Sequence, residues 1–246
     1  MTIERSAQES AVVMPSFLLP KRHIGALLLA ALVLLLVPGP TSQTHAAQTQ
    51  DMPSGTVGHC FDGDTFRLTD RRVVRLAGID APELGARPPK AGYYAREARE
   101  LLSAAVLRQR VRLLPAGTAH RDNYGRFLAE VLLPDGRSLN DLMISSGAAF
   151  FYPHSDLDSR LQKRLLAAQQ EAIRERRGMW EHVLAQPVAE KTYLGNRQSL
   201  RFFPTDCPEA QRIKPRNRVH FGTLMDAFMA GYAPARICPF WPPAHK

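Results

Sequence analysis

Three short stretches of this 246-residue chain concentrate residue types that can do chemistry. They are Asp62-Gly63-Asp64-Thr65, then Arg75-Leu76-Ala77-Gly78-Ile79-Asp80-Ala81-Pro82-Glu83, then Arg121-Asp122-Asn123-Tyr124-Gly125-Arg126. Singly, each has a plain structural explanation: a turn, a solvated arginine at a strand end, a hairpin connection. Together they hold the parts needed to break a phosphodiester bond. That reaction requires an activated water, cations against the charge developing on the phosphoryl oxygens, and usually a metal. Asp64 and Asp80 are hard oxygen ligands suited to calcium, with a backbone carbonyl and waters to complete the shell. Glu83 follows Pro82, which fixes its approach, and suits a general base or a group that positions the water. Arg75 and Arg126 are planar, permanently protonated forks able to grip phosphate oxygens bidentately. This region contains neither His/Cys zinc spacing nor a Gly-rich phosphate loop.

The rest of the chain must position these groups. Gly55 to Leu68 alternates apolar and polar residues as short strands do, and Asp70-Arg71-Arg72 turns into a second strand, Val73 to Leu76. Tyr93 to Arg110 reads as a helix, because Tyr94, Ala98, Leu101, Leu102 and Ala105 recur at three- and four-residue steps. Val111 to Leu114 and Phe127 to Leu133 are strands, the latter closed by an Asp135-Gly136 turn. Ser138 caps a short helix running to Ser146, with Gly147 placed to end it. Leu157, Leu161, Leu165, Ala168 and Ala172 mark a further helix, ended by Gly178. Early strands with interleaved or late helices predict an α+β domain on a small, strongly bent sheet.

Charge and cysteine usage narrow the setting. With 32 Lys+Arg against 23 Asp+Glu the formal net charge is +9, which points to a polyanionic partner and says nothing of the chemistry. Lys21, Arg22 and His23 precede an apolar run from Ile24 to Val37, broken by Pro38-Gly39-Pro40 and followed by a polar stretch ending Ala46-Ala47. A basic region, a short apolar run and a small-residue site make a secretory signal over residues 1–46, cleaved near Ala46, with 47–54 as linker. The run is shorter than the roughly 18–20 residues that span a bilayer comfortably, so no stable span remains after cleavage. An uncleaved inner-membrane anchor through residues 24–37 is the competing reading. Export, to the periplasm or the medium, allows two of Cys60, Cys207 and Cys238 to pair, without saying which. The apolar periodicity lapses near Ala185-Gln186-Pro187. The remainder, rich in Pro and Arg, is too small to stand without a cross-link or metal.

The three stretches, in this order and spacing, resemble the staphylococcal nuclease (thermonuclease) family over roughly Thr56 to Trp180, and the resemblance continues in Leu139-Asn140-Asp141, Gly147 and Gly178-Met179-Trp180. It implies a five-stranded OB-fold β-barrel with three helices for residues 55–185. It also implies Ca2+ held by Asp64, Asp80 and the carbonyl of Ala81, with Arg75, Glu83 and Arg126 as the catalytic trio. The implied substrates are DNA and RNA, cut with little sequence preference to 3′-phosphate and 5′-hydroxyl ends. Ala81 stands where threonine is common, which matters little if only the carbonyl ligates. Asn123 replaces a lysine near the substrate's terminal phosphate while Tyr124 remains, so a weaker grip is expected there. Tyr124 and Arg121 are the expected substrate contacts, with Arg108 and Arg110 as further guides for the strand. No obligate protein partner is implied, and a monomer is expected.

Residues 190–243 resemble the small metal-binding module of Ada-type alkylation-repair proteins, in Tyr193-Leu194-Gly195-Asn196-Arg197, Cys207-Pro208, Asn217-Arg218-Val219-His220-Phe221 and Gly231-Tyr232. Its ligand set is incomplete: Phe203 and Ala235 replace ligands, leaving Cys207 and Cys238, with His220 a weak third. Two thiolates do not hold a structural zinc. A Cys207–Cys238 disulfide is therefore expected in place of the metal, with Cys60 a small core residue in a strand. Arg212, Lys214, Arg216 and Arg218 suggest extra nucleic-acid contact. The rival to catalysis is a non-catalytic nucleic-acid-binding OB-fold module of the cell envelope. Such modules usually lose an Arg, the Glu or an Asp, and this chain keeps them all.

Overall fold

A computed structural model describes residues 53–85 and 92–238, all within one compact unit. The signal or anchor expected over residues 1–46 lies outside the described residues, as do most of the 47–54 linker and the end of the C-terminal module. Ser54–Cys60 (β1), Thr65–Leu68 (β2), Val73–Leu76 (β3), Arg110–Pro115 (β5) and Phe127–Leu132 (β6) close into a five-stranded barrel in the order β1-β2-β3-β6-β5. Ile79–Asp80 (β4) pairs outside it with Phe150–Phe151 (β7). The neighbours in the barrel are antiparallel except β3 and β6, which run parallel with Arg75 opposite Leu128. A register shift between Val57 and His59 bends β1, the device that lets a short sheet curl back on itself. The five-stranded barrel expected from the resemblance is thus present.

The barrel interior is filled by Val57, Phe66, Leu68, Val74, Leu76, Val111 and Val131, all buried. Ala95–Val106 (α1) lays Ala98, Leu102 and Val106 against it. This helix is shorter than the Tyr93–Arg110 reading at both ends. Tyr94 takes a left-handed conformation (φ 69°) before it, and Arg108 another (φ 65°) after it, which reverses the chain into β5. Leu139–Ser145 (α2) starts at Ser138, whose side chain accepts from Asp141 N, as expected. Gly147 ends it at φ 69°, where a Cβ would stand 2.1 Å from the carbonyl oxygen of Arg177, so no other residue fits without moving backbone.

Ser159–Arg174 (α3) is capped by Asp158, whose carboxylate accepts from Arg160 N and Leu161 N. It stops before Gly178, because Arg176 turns left-handed (φ 53°). Gly178 instead opens a fourth, five-residue helix, Met179–Val183 (α4), which sinks Trp180 into the core.

The C-terminal part is a four-stranded sheet in the order β10-β8-β9-β11, formed by Tyr193–Asn196 (β8), Arg201–Pro204 (β9), Arg218–Phe221 (β10) and Ala233–Pro234 (β11). The helices Pro208–Gln211 (α5) and Leu224–Met229 (α6) complete the α+β module, α6 starting with a Thr223/Asp226 capping box. It does not hang free of the barrel domain. Phe150, Ala172, Met179, Trp180 and Val183 share one buried cluster with Tyr193, Phe202, Leu224 and Phe228. Phe228 is its centre, with its ring edge-on to Trp180 (4.8 Å), Phe202 (5.1 Å) and Phe150 (5.6 Å). Buried Gln169 of α3 ties the halves by hydrogen bonds, accepting from Phe151 N (2.7 Å) and donating to Phe228 O (2.8 Å). Cys207 and Cys238 are joined by a disulfide, Cα atoms 6.2 Å apart, and Cys60 is free and buried in β1. Burial pushes the Cys60 thiol above its ordinary range, so it stays protonated and inert.

Candidate active site

Two strand ends and one loop build the site. Arg75 leaves β3 and Asp80 lies in β4, and the turn between them needs Gly78 at φ 75°. The turn is pinned from beneath by Asn140 of α2. Its amide donates to Ala77 O (2.8 Å) and its oxygen accepts from Val131 N (3.0 Å). Asn140 is fully buried, so these bonds are made in a medium where losing one is expensive.

Arg75 is buried and lies between two carboxylates. Its Nη1 is 2.5 Å from Asp64 Oδ2 and its Nη2 2.5 Å from Asp80 Oδ1. Only the second contact has hydrogen-bond geometry. Among the described residues, Nη1 is left without an aligned acceptor. Burial works against the charge of Arg75, but Asp64, Asp80, Asp62 and Glu83 together hold the guanidinium firmly protonated. Asp64 is oriented by Thr65 Oγ1 (2.8 Å) and by Ala81 N (2.8 Å), so the peptide of Ala81 lies directly against its carboxylate.

The surroundings carry surplus negative charge. Burial, followed by the charge of Asp64, pushes the Asp62 carboxyl up to about 7, and burial raises that of Asp80 despite the arginines beside it. Carboxylates that resist ionisation because they are buried are what a cation relieves. Asp64, Asp80 and the Ala81 carbonyl therefore fit a hard divalent ion by donor type. Among the described residues no three acidic, His or Cys side chains already stand in ligating geometry, because guanidinium groups face Asp64 and Asp80.

Glu83 is exposed beyond buried Pro82, close enough to raise the pKa of both Arg75 and Asp62, and its carbonyl accepts from Gly92 N (2.9 Å). Arg126 arrives from the hairpin loop. Asp122 accepts from Arg126 Nε (2.7 Å) and Arg126 N (3.0 Å), and from Tyr124 N (2.9 Å). Arg126 lines a cleft of about 310 Å³ together with Arg75, Tyr124, Tyr152 and Arg236. Tyr124 is 83% exposed at the cleft edge, with the Arg126 guanidinium 5.3 Å from its ring centroid.

The other expected substrate contacts are placed differently. Arg121 stacks on Phe127 (3.6 Å to the ring centroid) and donates to Gly125 O (2.6 Å), bracing the loop from a side that does not line the cleft. Arg108 forms the α1–β5 turn and Arg110 donates to Ser54 Oγ (2.8 Å). Arg212 pairs with Glu209 and Arg218 donates to two backbone carbonyls, whereas Lys214 and Arg216 are exposed. His220 is exposed on β10, and Phe203 packs on the small cluster around the disulfide. Two residues of the site were not read from the sequence as site residues, although Asn140 lay within the Leu139-Asn140-Asp141 resemblance. Asn140 acts through backbone groups far along the chain, and Arg236 of the C-terminal module donates to Asp80 Oδ1 (2.9 Å).

With this geometry in hand, similarity to known proteins becomes informative. The family model of staphylococcal nuclease homologues matches residues 73–182, which contain Arg75, Asp80, Glu83 and Arg126. An uncharacterized endonuclease of Escherichia coli O157:H7 is 34% identical over 137 residues, covering 54% of this chain and 80% of that protein. A probable endonuclease, lcl3, of Aspergillus flavus is 29% identical over 216 residues, 70% of this chain and 76% of the relative. Endonuclease YhcR of Bacillus subtilis is 23% identical over 210 residues, 75% of this chain and 17% of that larger protein.

Proposed function

This chain belongs to the staphylococcal nuclease homologue family, and from that premise we propose that it is an exported, calcium-dependent nuclease hydrolysing phosphodiester bonds of DNA and RNA. The observation that carries the reading is Arg75. It is a buried arginine between two carboxylates, with one donor unaligned, on the wall of a cleft that Arg126 also lines. The two carboxylates fix this guanidinium at the end of its strand, so its charge is in place before an anion arrives.

The residues divide the work by position. Arg75 and Arg126 bind the non-bridging oxygens of the scissile phosphate and strengthen their hold as charge accumulates there. Glu83, exposed and free of an ion pair among the described residues, takes the proton of the attacking water. Asp122 holds Arg126 in place, and Tyr124 offers its ring and hydroxyl at the cleft edge. A calcium ion held by Asp64, Asp80 and the Ala81 carbonyl would neutralise the phosphate and polarise its bonds. Cleavage of the bond to the 5′ oxygen, giving 3′-phosphate and 5′-hydroxyl ends, is proposed from the family resemblance. Export is proposed from the N-terminal sequence and is supported by the Cys207–Cys238 disulfide, a bond that persists in oxidising compartments.

The decisive experiment measures degradation of single- and double-stranded DNA and RNA with calcium, magnesium or chelator, for the wild type, Glu83→Gln and Arg126→Ala. Activity is expected with calcium and none with chelator. Each variant should lose about a hundredfold or more in turnover, since a positioned charge-stabilising donor contributes about 2.7–4 kcal/mol. Wild-type rates in both folded variants would overturn the residue assignment, and full activity with magnesium alone would overturn calcium.

A further inference from the structure

One charged contact in the cleft has no part in the steps above. Arg236 places Nη2 2.9 Å from Asp80 Oδ1, across 156 residues of sequence. The same oxygen already accepts from Arg75 Nη2 at 2.5 Å. One carboxylate oxygen thus serves two guanidinium groups, and the two differ in what they can do. Arg75 is fixed in the barrel wall with a side chain 10% exposed. The Arg236 side chain is 64% exposed, on a stem that can rotate away into the cleft it lines. Its backbone, by contrast, is held on both sides. Ala235 N donates to Phe202 O (2.9 Å), and Cys238, two residues on, is bonded to Cys207. A tethered backbone under a free side chain keeps the guanidinium within reach of Asp80 at high effective concentration.

We propose that Arg236 is an internal cation that competes with a bound divalent ion for Asp80, so that the C-terminal module sets the cation affinity of the site. The inference rests on the assignment of Asp64 and Asp80 as cation ligands. Its physical basis is direct. A divalent ion on Asp80 repels the neighbouring guanidinium, and the contact to Oδ1 has to be given up for the oxygen to ligate. Removing Arg236 removes that competition without touching a proposed ligand or the catalytic trio.

The test is calorimetric titration of calcium into the metal-stripped full chain, which reads binding and not turnover. Arg236→Ala should bind calcium about fivefold more tightly, which at 1.4 kcal/mol per factor of ten corresponds to roughly 1 kcal/mol, the upper range of an ion pair whose arginine is open to solvent. Arg236→Lys keeps the charge and should remain close to wild type. The double variant Cys207→Ser with Cys238→Ser frees the segment and should also bind more tightly, adding nothing when Arg236 is already alanine. An Arg236→Ala affinity equal to or weaker than wild type overturns the proposal, as does an effect of cutting the disulfide that persists without Arg236. The cation site is checked separately by Asp64→Ala. If that variant binds as wild type does, or if wild type binds no calcium, the ligand assignment falls and the competition with it.

Discussion

Replacing Asp122 with alanine leaves the guanidinium of Arg126 without an ion-pair partner among the described residues. Three hydrogen bonds go with the carboxylate, from Tyr124 N, Arg126 N and Arg126 Nε. The loop itself keeps its backbone bonds, Asp122 N to Arg126 O and Gly125 N to Asp122 O, both 3.0 Å, so it should not unfold. What is lost is the preorganisation of one side chain. An arginine carries about 2 kcal/mol of rotamer entropy, and an unanchored Arg126 must surrender it in the transition state. The full contribution of such a donor is about 2.7–4 kcal/mol. Asp122→Ala should therefore forfeit about 1–2 kcal/mol, roughly five- to thirtyfold in turnover. Asp122→Asn keeps an oxygen for the two backbone N–H groups but loses the charge on Nε, and should cost about two- to fivefold. Steady-state hydrolysis of a defined oligonucleotide measures both. In an Arg126→Ala background the Asp122 substitutions should have almost no further effect, because their role runs through that arginine. The sign of the pH dependence is fixed too. Burial opposes the charge of Asp122, but the bonds from Arg126 and Tyr124 hold its carboxyl below the usual range. The support is therefore complete above the unfolded value near 3.9 and fails only as pH falls through the lower folded value, so the variant-to-wild-type ratio should be flat above about pH 5. A turnover within twofold of wild type for Asp122→Ala, or full additivity with Arg126→Ala, refutes the anchoring argument.

Two further substitutions test the framework. Asn140→Leu strands Val131 N–H and removes an amide donor from Ala77 O inside the core; at about 1–3 kcal/mol for each group it should cost roughly 2–6 kcal/mol in urea unfolding, with a drop in turnover because Ala77 lies between Arg75 and Asp80. A loss under about 1 kcal/mol would mean the pin is not structural. Gln169→Leu strands Phe151 N–H and takes a donor from Phe228 O, for roughly 2–4 kcal/mol. Calorimetry of the wild type should show one cooperative transition, and two resolved transitions would refute a shared core.

The site was legible because its chemistry is local. Nine consecutive residues carry Arg75, Asp80 and Glu83, a second short run carries Asp64, and a loop of six carries Asp122 and Arg126. Turn and strand signals around them gave a small, strongly bent sheet, and the family resemblance implied the closed barrel that the structure shows. The errors fell where the chain bends without announcing it. Arg108 and Arg176 adopt left-handed conformations usually given to Gly or Asn, so a periodic reading ran α1 into β5 and α3 through to Gly178. Arg121 was read by charge, and the structure adds that its guanidinium stacks on Phe127.

What the sequence hid is the attachment of the C-terminal module, and the reason is the range of the contacts. Gln169 meets Phe228 O across 59 residues and Arg236 meets Asp80 across 156, separations at which no periodicity or motif leaves a trace. The lapse of apolar pattern near Ala185 marks a change of architecture there without a change of core. Trp180, Met179 and Phe150 would be bared to water if the residues after it were removed, because Phe202, Leu224 and Phe228 cover them. Each large side chain uncovered costs about 1.5–3 kcal/mol, a sizeable share of the 5–15 kcal/mol that holds a domain together. The barrel domain described here is therefore not self-sufficient in the way its motifs suggest. It takes part of its core from the module, and through Arg236 the same module reaches the carboxylate on which the chemistry turns.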